Sequence, residues 1–195
     1  MSYIIAPLDK VKGENAFPEY ADVLKSVQDA AITRAKTIWP GYNQGGLYPG
    51  DKEFGVCPLR ANEMATDVSS TTLSGTYSFR KNIATANVWR NIFSYTTRKD
   101  VIHAFAGFAI TDEILRLLQL RFEVKDRLYP IIDVQEAQGW GSFAILFKED
   151  AGKELIADEE TRVLVKGYFE STGYQRIVPL GFQLYKRKDL VITET

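Results

Sequence analysis

A chain of 195 residues, 45% apolar and 25% charged, is long enough for one domain with a substantial core, and its composition is that of a folded globular chain. A net charge of −1 supplies no field to draw in nucleic acid or an anionic membrane, and no apolar run approaches the roughly 18 to 20 residues of a membrane span. Cys57 is the only cysteine and no Asn-x-Ser/Thr acceptor is present, which excludes an intramolecular disulfide and argues against a glycosylated secreted protein.

The opening "MSYIIAPLDK" has too short an apolar stretch, and no basic start, for a signal peptide. Residues 18 to 39 predict a helix: Tyr20, Val23, Leu24, Val27, Ala31, Ala35 and Ile38 fall on one stripe. Pro18 suits the first turn, Glu19 and Asp22 favour its positive end, and Pro40-Gly41 stops it. Such a stripe needs a surface, either this chain's own sheet or a neighbouring subunit. Residues 40 to 75, with "PGYNQGGLYPGDKEFG" and "TDVSSTTLSG", hold no period and read as an extended arm wrapped over something.

From about residue 75 the period is two. Trp89, Phe93 and Tyr95 alternate onto one face, and "VIHAFAGFAI" is apolar on both faces, as a buried strand would be. In "LLQLRFEVKD", Leu118, Leu120, Phe122 and Val124 oppose Gln119, Arg121, Glu123 and Lys125, although 114 to 121 also fits a short helix. Pro130 marks an edge or bulge in "LYPIIDV". "SFAILFK", Val163/Val165/Phe169 and Leu180/Phe182/Leu184 follow, with "DLVIT" as a further candidate, separated by Asp/Glu/Gly clusters. Roughly eight or nine short strands at this spacing predict a mainly β fold, an antiparallel β-sandwich or barrel. The division expected is 1–74 for the helix and arm and 75–195 for the sandwich. The core expected is Leu118, Leu120, Phe122, Val124, Phe143, Ile145, Phe147, Val163, Val165, Phe169, Phe182 and Leu184.

Groups able to carry chemistry are few. His103 is the single histidine and sits in the most apolar strand, where a core histidine with one hydrogen-bond partner is the expectation and a metal ligand is not. One histidine and one cysteine cannot supply the ligand sets of metal-dependent β-sandwich enzymes, and no local signature links Cys57 to His103. The pairs Asp112-Glu113 and Glu149-Asp150 and the run Asp158-Glu159-Glu160 fall at turns, where solvated charge is expected. No enzyme activity and no cofactor are expected. Trp140, between Gly139 and Gly141, is a candidate for stacking on a sugar or burial in a partner. Lys186, Arg187 and Lys188 are too small a basic run for a nucleic-acid site.

The layout of helix, Gly/Pro arm and β region resembles virion structural proteins with a single jelly roll or related sandwich, of the phage and archaeal-virus capsid or decoration kind. The segments "GTYSFRKNIATANVWRNIFSYTTRKDVIHAFAGFAI" and "TRVLVKGYFESTGYQRIVPLGFQLYK" carry the resemblance, over about residues 74 to 193. It implies a jelly-roll-like sandwich, no catalysis, self-association as a homo-oligomer, contacts with other virion proteins, and a place in the virion after synthesis in the host cytoplasm. The N-terminal helix is a departure from many small jelly rolls. Tyr42, Leu47, Tyr48 and Phe54 in the arm, with Trp140, are the expected interface residues, since burying such side chains in a neighbour's groove offsets the entropy of ordering an arm. A carbohydrate- or small-ligand-binding β-sandwich module, using Trp140, Tyr48 and Tyr42, is the alternative.

Overall fold

The computed structural model describes residues 2–11, 18–45, 52–64, 68–112, 114–125, 127–148 and 155–187. In chain order these form β1 (Ser2–Pro7), α1 (Leu8–Val11), α2 (Pro18–Ile38), β2 (Asn43–Gln44), β3 (Glu53–Pro58), β4 (Thr71–Leu73), β5 (Phe79–Ile83), β6 (Trp89–Thr96), β7 (Val101–Ile110), β8 (Leu117–Val124), β9 (Arg127–Leu128), β10 (Ile132–Asp133), β11 (Phe143–Lys148), β12 (Leu155–Ala157), β13 (Arg162–Phe169) and β14 (Gly173–Lys186). Among the described residues nine strands make a large sheet and five a small one. All pairings are antiparallel except β2 with β3. The sheets pack face to face around an aromatic interior in which Phe108 lies 4.8 Å from Phe122, and Phe122 meets Phe147 edge-on at 5.2 Å. The protein is a mainly β, two-sheet antiparallel sandwich, as the alternation predicts.

From β5 onward the pairings nest. β5 pairs with β14, β6 with β13, β7 with β11 and β12, and β8 with β10. One long antiparallel ribbon folded over itself gives this order, with successive rungs falling in opposite sheets. The β7–β14 and β8–β13 pairings then close each sheet.

β7 is covered on both faces. Phe105, Phe108 and Ile110 point into the sandwich, while Ile102, Ala104 and Ala106 point at α2. The count from Phe105 to Phe108 is odd, so strict alternation would place the two rings on opposite faces. An irregularity opposite Leu180/Gly181, where Leu180 faces Gly107 and Gly181 faces Phe105, inserts Ala106 and restores both to the interior. It depends on glycine: Gly107 has φ +156° and Gly181 φ +145°, and a Cβ would stand 1.9 Å from the Ile145 carbonyl oxygen at the first and 2.0 Å from the Ala104 carbonyl oxygen at the second.

α2 forms a third layer on the outside of the large sheet. Val27, Ala31, Ala35 and Trp39 are buried on Ile102, Ala104, Ala106 and Leu184. Alanines on both sides let the helix axis approach the sheet closely. The stripe read from the sequence is the buried stripe, and its surface is the chain's own sheet.

Several expectations are corrected. Part of the stretch read as an arm is structured, because β3 pairs with β14, β4 with β5, and residues 61–63 form a turn of 3-10 helix. Strands from both sides of position 74 share one sheet, since β1 pairs with β11 as β3 does with β14, so no break in the sheet falls at 74/75. Residues 117 to 121 are strand, as the alternation reads them, and the short-helix alternative does not form there. Leu118 is only half-buried, because a shift opposite Tyr168/Phe169 gives its core place to Leu117. Phe182 is half-buried beneath the helix layer, outside the inter-sheet core, and Leu184 belongs to that helix layer too. Trp89 leaves the face of Phe93 and Tyr95 because the register shifts between Val165 and Lys166, where Ile92 is the extra residue. The stretch "DLVIT" lies outside the described residues.

Candidate functional site

The polar groups that could carry chemistry are mostly engaged in holding the fold. His103 is 1% exposed, and its Nδ1 lies 2.7 Å from the Tyr95 hydroxyl across the space between the sheets. Burial drives its pKa down to about 4, against a favourable Gln183 side chain and with help from the Arg98 charge. The Tyr95 phenol is pushed well up by burial and keeps its proton, and its hydroxyl and the His103 Nδ1 share one hydrogen bond whose donor is set by the ring tautomer. Cys57, Gln183 and His103 occupy one row across β3, β14 and β7, with Gln183 in the middle. Burial raises the Cys57 thiol pKa, the opposite of what an activated nucleophile needs. Among the described residues no group of three or more His, Cys, Asp or Glu is placed to hold a metal, and no helix is long and apolar enough to cross a membrane.

The acidic run after β12 is a clasp. Asp158 takes two hydrogen bonds from Arg34 of α2, at 3.0 and 2.6 Å, and Glu159 accepts the indole N–H of Trp39. Asp112 accepts from Gln175 Nε2 at 2.8 Å and from the Arg176 backbone. Glu113, Glu149 and Asp150 lie outside the described residues. The basic run is similarly absorbed. Lys186 pairs with Asp100, lies 3.6 Å from Glu159, and sits over Trp39 at 5.3 Å and Tyr42 at 5.4 Å, while Arg187 pairs with Glu53 at 3.0 Å. Lys188 lies outside the described residues.

The expected interface residues separate. Phe54 is fully buried against Trp39 in its own domain and has no surface to offer a partner. Tyr42 is half-buried in the same cluster. Leu47 and Tyr48 lie outside the described residues. Trp140 is 45% exposed in the turn before β11.

Three hollows among the described residues border α2, one of them, of about 910 Å³, lined by Asp29, Arg34, Arg127 and Asp158. A cleft of about 340 Å³ opens beside its first turns, with Val27, Phe105, Phe147 and Leu155 beneath and Glu19, Asp22 and Lys148 at the rim. Its floor side chains are already buried, which leaves a ligand little apolar surface to cover. A groove of about 690 Å³ runs along the outside of β14 past the helix, lined by Leu24, Pro58, Tyr77, Val178, Leu180 and Phe182. Inside one end of the sandwich, Thr71, Lys81 and Gln175 form a buried polar row across β4, β5 and β14. Lys81 there donates to the Ser70 hydroxyl, and its pKa falls to about 8, first by burial and then by the charge of Arg90.

The outer face of the small sheet carries the chemistry that sequence reading missed. Register places Trp89, Tyr168, Gln119 and Asp133 in one row across β6, β13, β8 and β10. Trp89 is 37% exposed, and its ring lies 5.9 Å from Tyr168 at 59°. The next row holds Asn91, Lys166 and Arg121. Gln119 Nε2 donates to Asp133 at 3.3 Å, while Arg121 Nε is buried without a hydrogen-bond partner. The polar side of β13, Arg162, Lys166 and Tyr168, was visible as alternation. The displacement of Trp89 onto that side was not.

No family model matches the chain, and no curated protein matches it. Two solved structures from infectious bursal disease virus align with 76% of this chain: the VP2 subviral particle, 12% identical with a TM-score of 0.19, and the Gx strain, 14% identical with a TM-score of 0.18. The alignments cover 48% and 47% of those chains, so this chain spans about half their length. Superpositions this slight bear on neither fold nor function.

Proposed function

We propose that this chain is a non-enzymatic structural subunit of a viral particle, a capsid or decoration protein that acts by self-assembly and by contacts with other virion proteins. The observation that carries the reading is the nested strand order. Pairing first with last, second with next to last, and so inward supports reading the sandwich as a jelly roll, an eight-strand arrangement of two Greek keys used by viral capsids, lectins and cupins. Enzymes of such folds that use a metal draw on two or more histidines, and this chain has one. A virion location, after synthesis in host cytoplasm, follows from the same reading.

The assembly contact moves from the arm to the groove along β14. Val178, Leu180 and Phe182 there are only half-buried, beside the exposed ring of Tyr77, and apolar surface of this kind serves subunit contacts. The test is light scattering with negative-stain microscopy on the full chain across a concentration series. Assemblies of defined mass that Leu180→Glu dissociates, with the thermal midpoint kept, support the reading. A monomer at every concentration overturns it.

A further inference from the structure

We propose that the outer face of the small sheet binds an acidic saccharide, with Trp89 and Tyr168 against the apolar face of a sugar ring and Lys166 and Arg121 holding its carboxylate or sulfate. An aromatic pair alone needs no ligand, because cross-strand rings stabilise an edge strand such as β6. The cations beside it are different. Lys166 and Arg121 are direct cross-strand partners, and like charges so placed destabilise a sheet. Among the described residues neither is paired with a carboxylate, and the Arg121 Nε is shut away from water with no acceptor. A buried unsatisfied donor on a charged group is costly, and an anion laid between the two side chains would offset their repulsion and, with the guanidinium turned toward it, give the Nε an acceptor.

The spacing selects the ligand. Residues two apart on a strand are separated by about 6.6 to 6.8 Å, so Lys166 stands one such step from Tyr168. That distance suits a pyranose ring on the aromatics with its acidic substituent reaching the cations. Asn91 and Gln119 supply amide donors and acceptors for hydroxyls at either side of the rings. A nucleic-acid strand fits less well. It needs positive charge tracking a backbone, whereas Asp133 closes the aromatic row with a carboxylate that accepts a sugar hydroxyl but repels phosphate. The site is independent of assembly, being on the sheet opposite the β14 groove.

The test titrates the full chain with 3′-sialyllactose, a sulfated heparin hexasaccharide, lactose and a fifteen-nucleotide oligothymidylate, read by calorimetry and tryptophan fluorescence. Binding of one acidic saccharide, with lactose silent, is expected. Lys166→Ala and Trp89→Ala should each weaken it roughly tenfold or more, and Trp140→Ala should leave it unchanged. Sialyllactose tests carboxylate recognition by itself, and the heparin hexasaccharide, which carries carboxylates and sulfates together, shows what sulfate adds. Thermal melts of each variant distinguish lost contacts from lost structure, and Lys166→Gln, which keeps the stem, covers the case in which an alanine variant does not fold. No binding of either acidic sugar up to about 10 mM, binding that both Lys166 variants leave intact, or preference for the oligothymidylate would overturn the proposal.

Discussion

Tyr95 and His103 sit on facing sheets, and the hydroxyl of the first is hydrogen-bonded to Nδ1 of the second at 2.7 Å, the histidine being 1% exposed. Charging the imidazole would hold a cation out of water and in the field of the Arg98 charge, so the folded state keeps the ring neutral.

Stability should therefore fall with acid. The folded pKa of about 4 lies below the usual value of 6.5, so the unfolded chain binds more protons between these values. The contribution of neutral His103 is complete above pH 6.5 and is lost as pH falls from 6.5 to 4, by about 3 kcal/mol in all. Urea midpoints at pH 7.5 and 4.5, for the native chain and for His103→Gln, check this. A loss on acidification equal in both would show that other groups carry the effect.

Phe122 is fully buried between Phe108 and Phe147. Phe122→Ala should cost about 3 to 5 kcal/mol, measured by chemical denaturation. A loss below about 1 kcal/mol would mean that the interior collapses around the missing ring or that the face assignment is wrong.

Gly181→Ala drives a methyl group into the Ala104 carbonyl and should destabilise the chain by about 1 to 3 kcal/mol or more. Gly139→Ala is the comparison, since it shares a positive φ, +85°, but has open space around it. Calorimetric melts should place the Gly181 variant well below the Gly139 variant, and equal midpoints would count against the packed irregularity at β7–β14.

Removing residues 1 to 60 takes away β1, α2 and β3. The truncated chain should lose cooperative unfolding, because Ile102, Ala104 and Leu184 are then uncovered and β14 loses a partner. Circular dichroism and solubility decide it, and a soluble remainder with a sharp transition would restore the view of the N-terminal part as a separable arm.

Local pattern was enough for some features. A helical stripe at 18 to 39, a period of two from about residue 75 and a strand apolar on both faces at 101 to 110 depend on neighbours in sequence, and the structure has a helix at Pro18–Ile38, strands from Phe79 onward and a strand at Val101–Ile110 buried on both faces. The lone histidine in that strand is a core residue for the same reason. Long-range and parity effects were not legible. Ser2 pairs with Lys148 and Phe54 with Lys186, and nothing near those positions marks the partner. A single extra residue at Ala106, Ile92 or Leu118 reverses every face beyond it. That reversal sent Trp89 outward beside Tyr168, and strand order alone brought Lys166 opposite Arg121. Composition and alternation thus determined a mainly β chain with one covering helix. Which strands meet, and hence which side chains share a surface, only the tertiary structure decided, because pairing energy is gained between residues far apart in the chain.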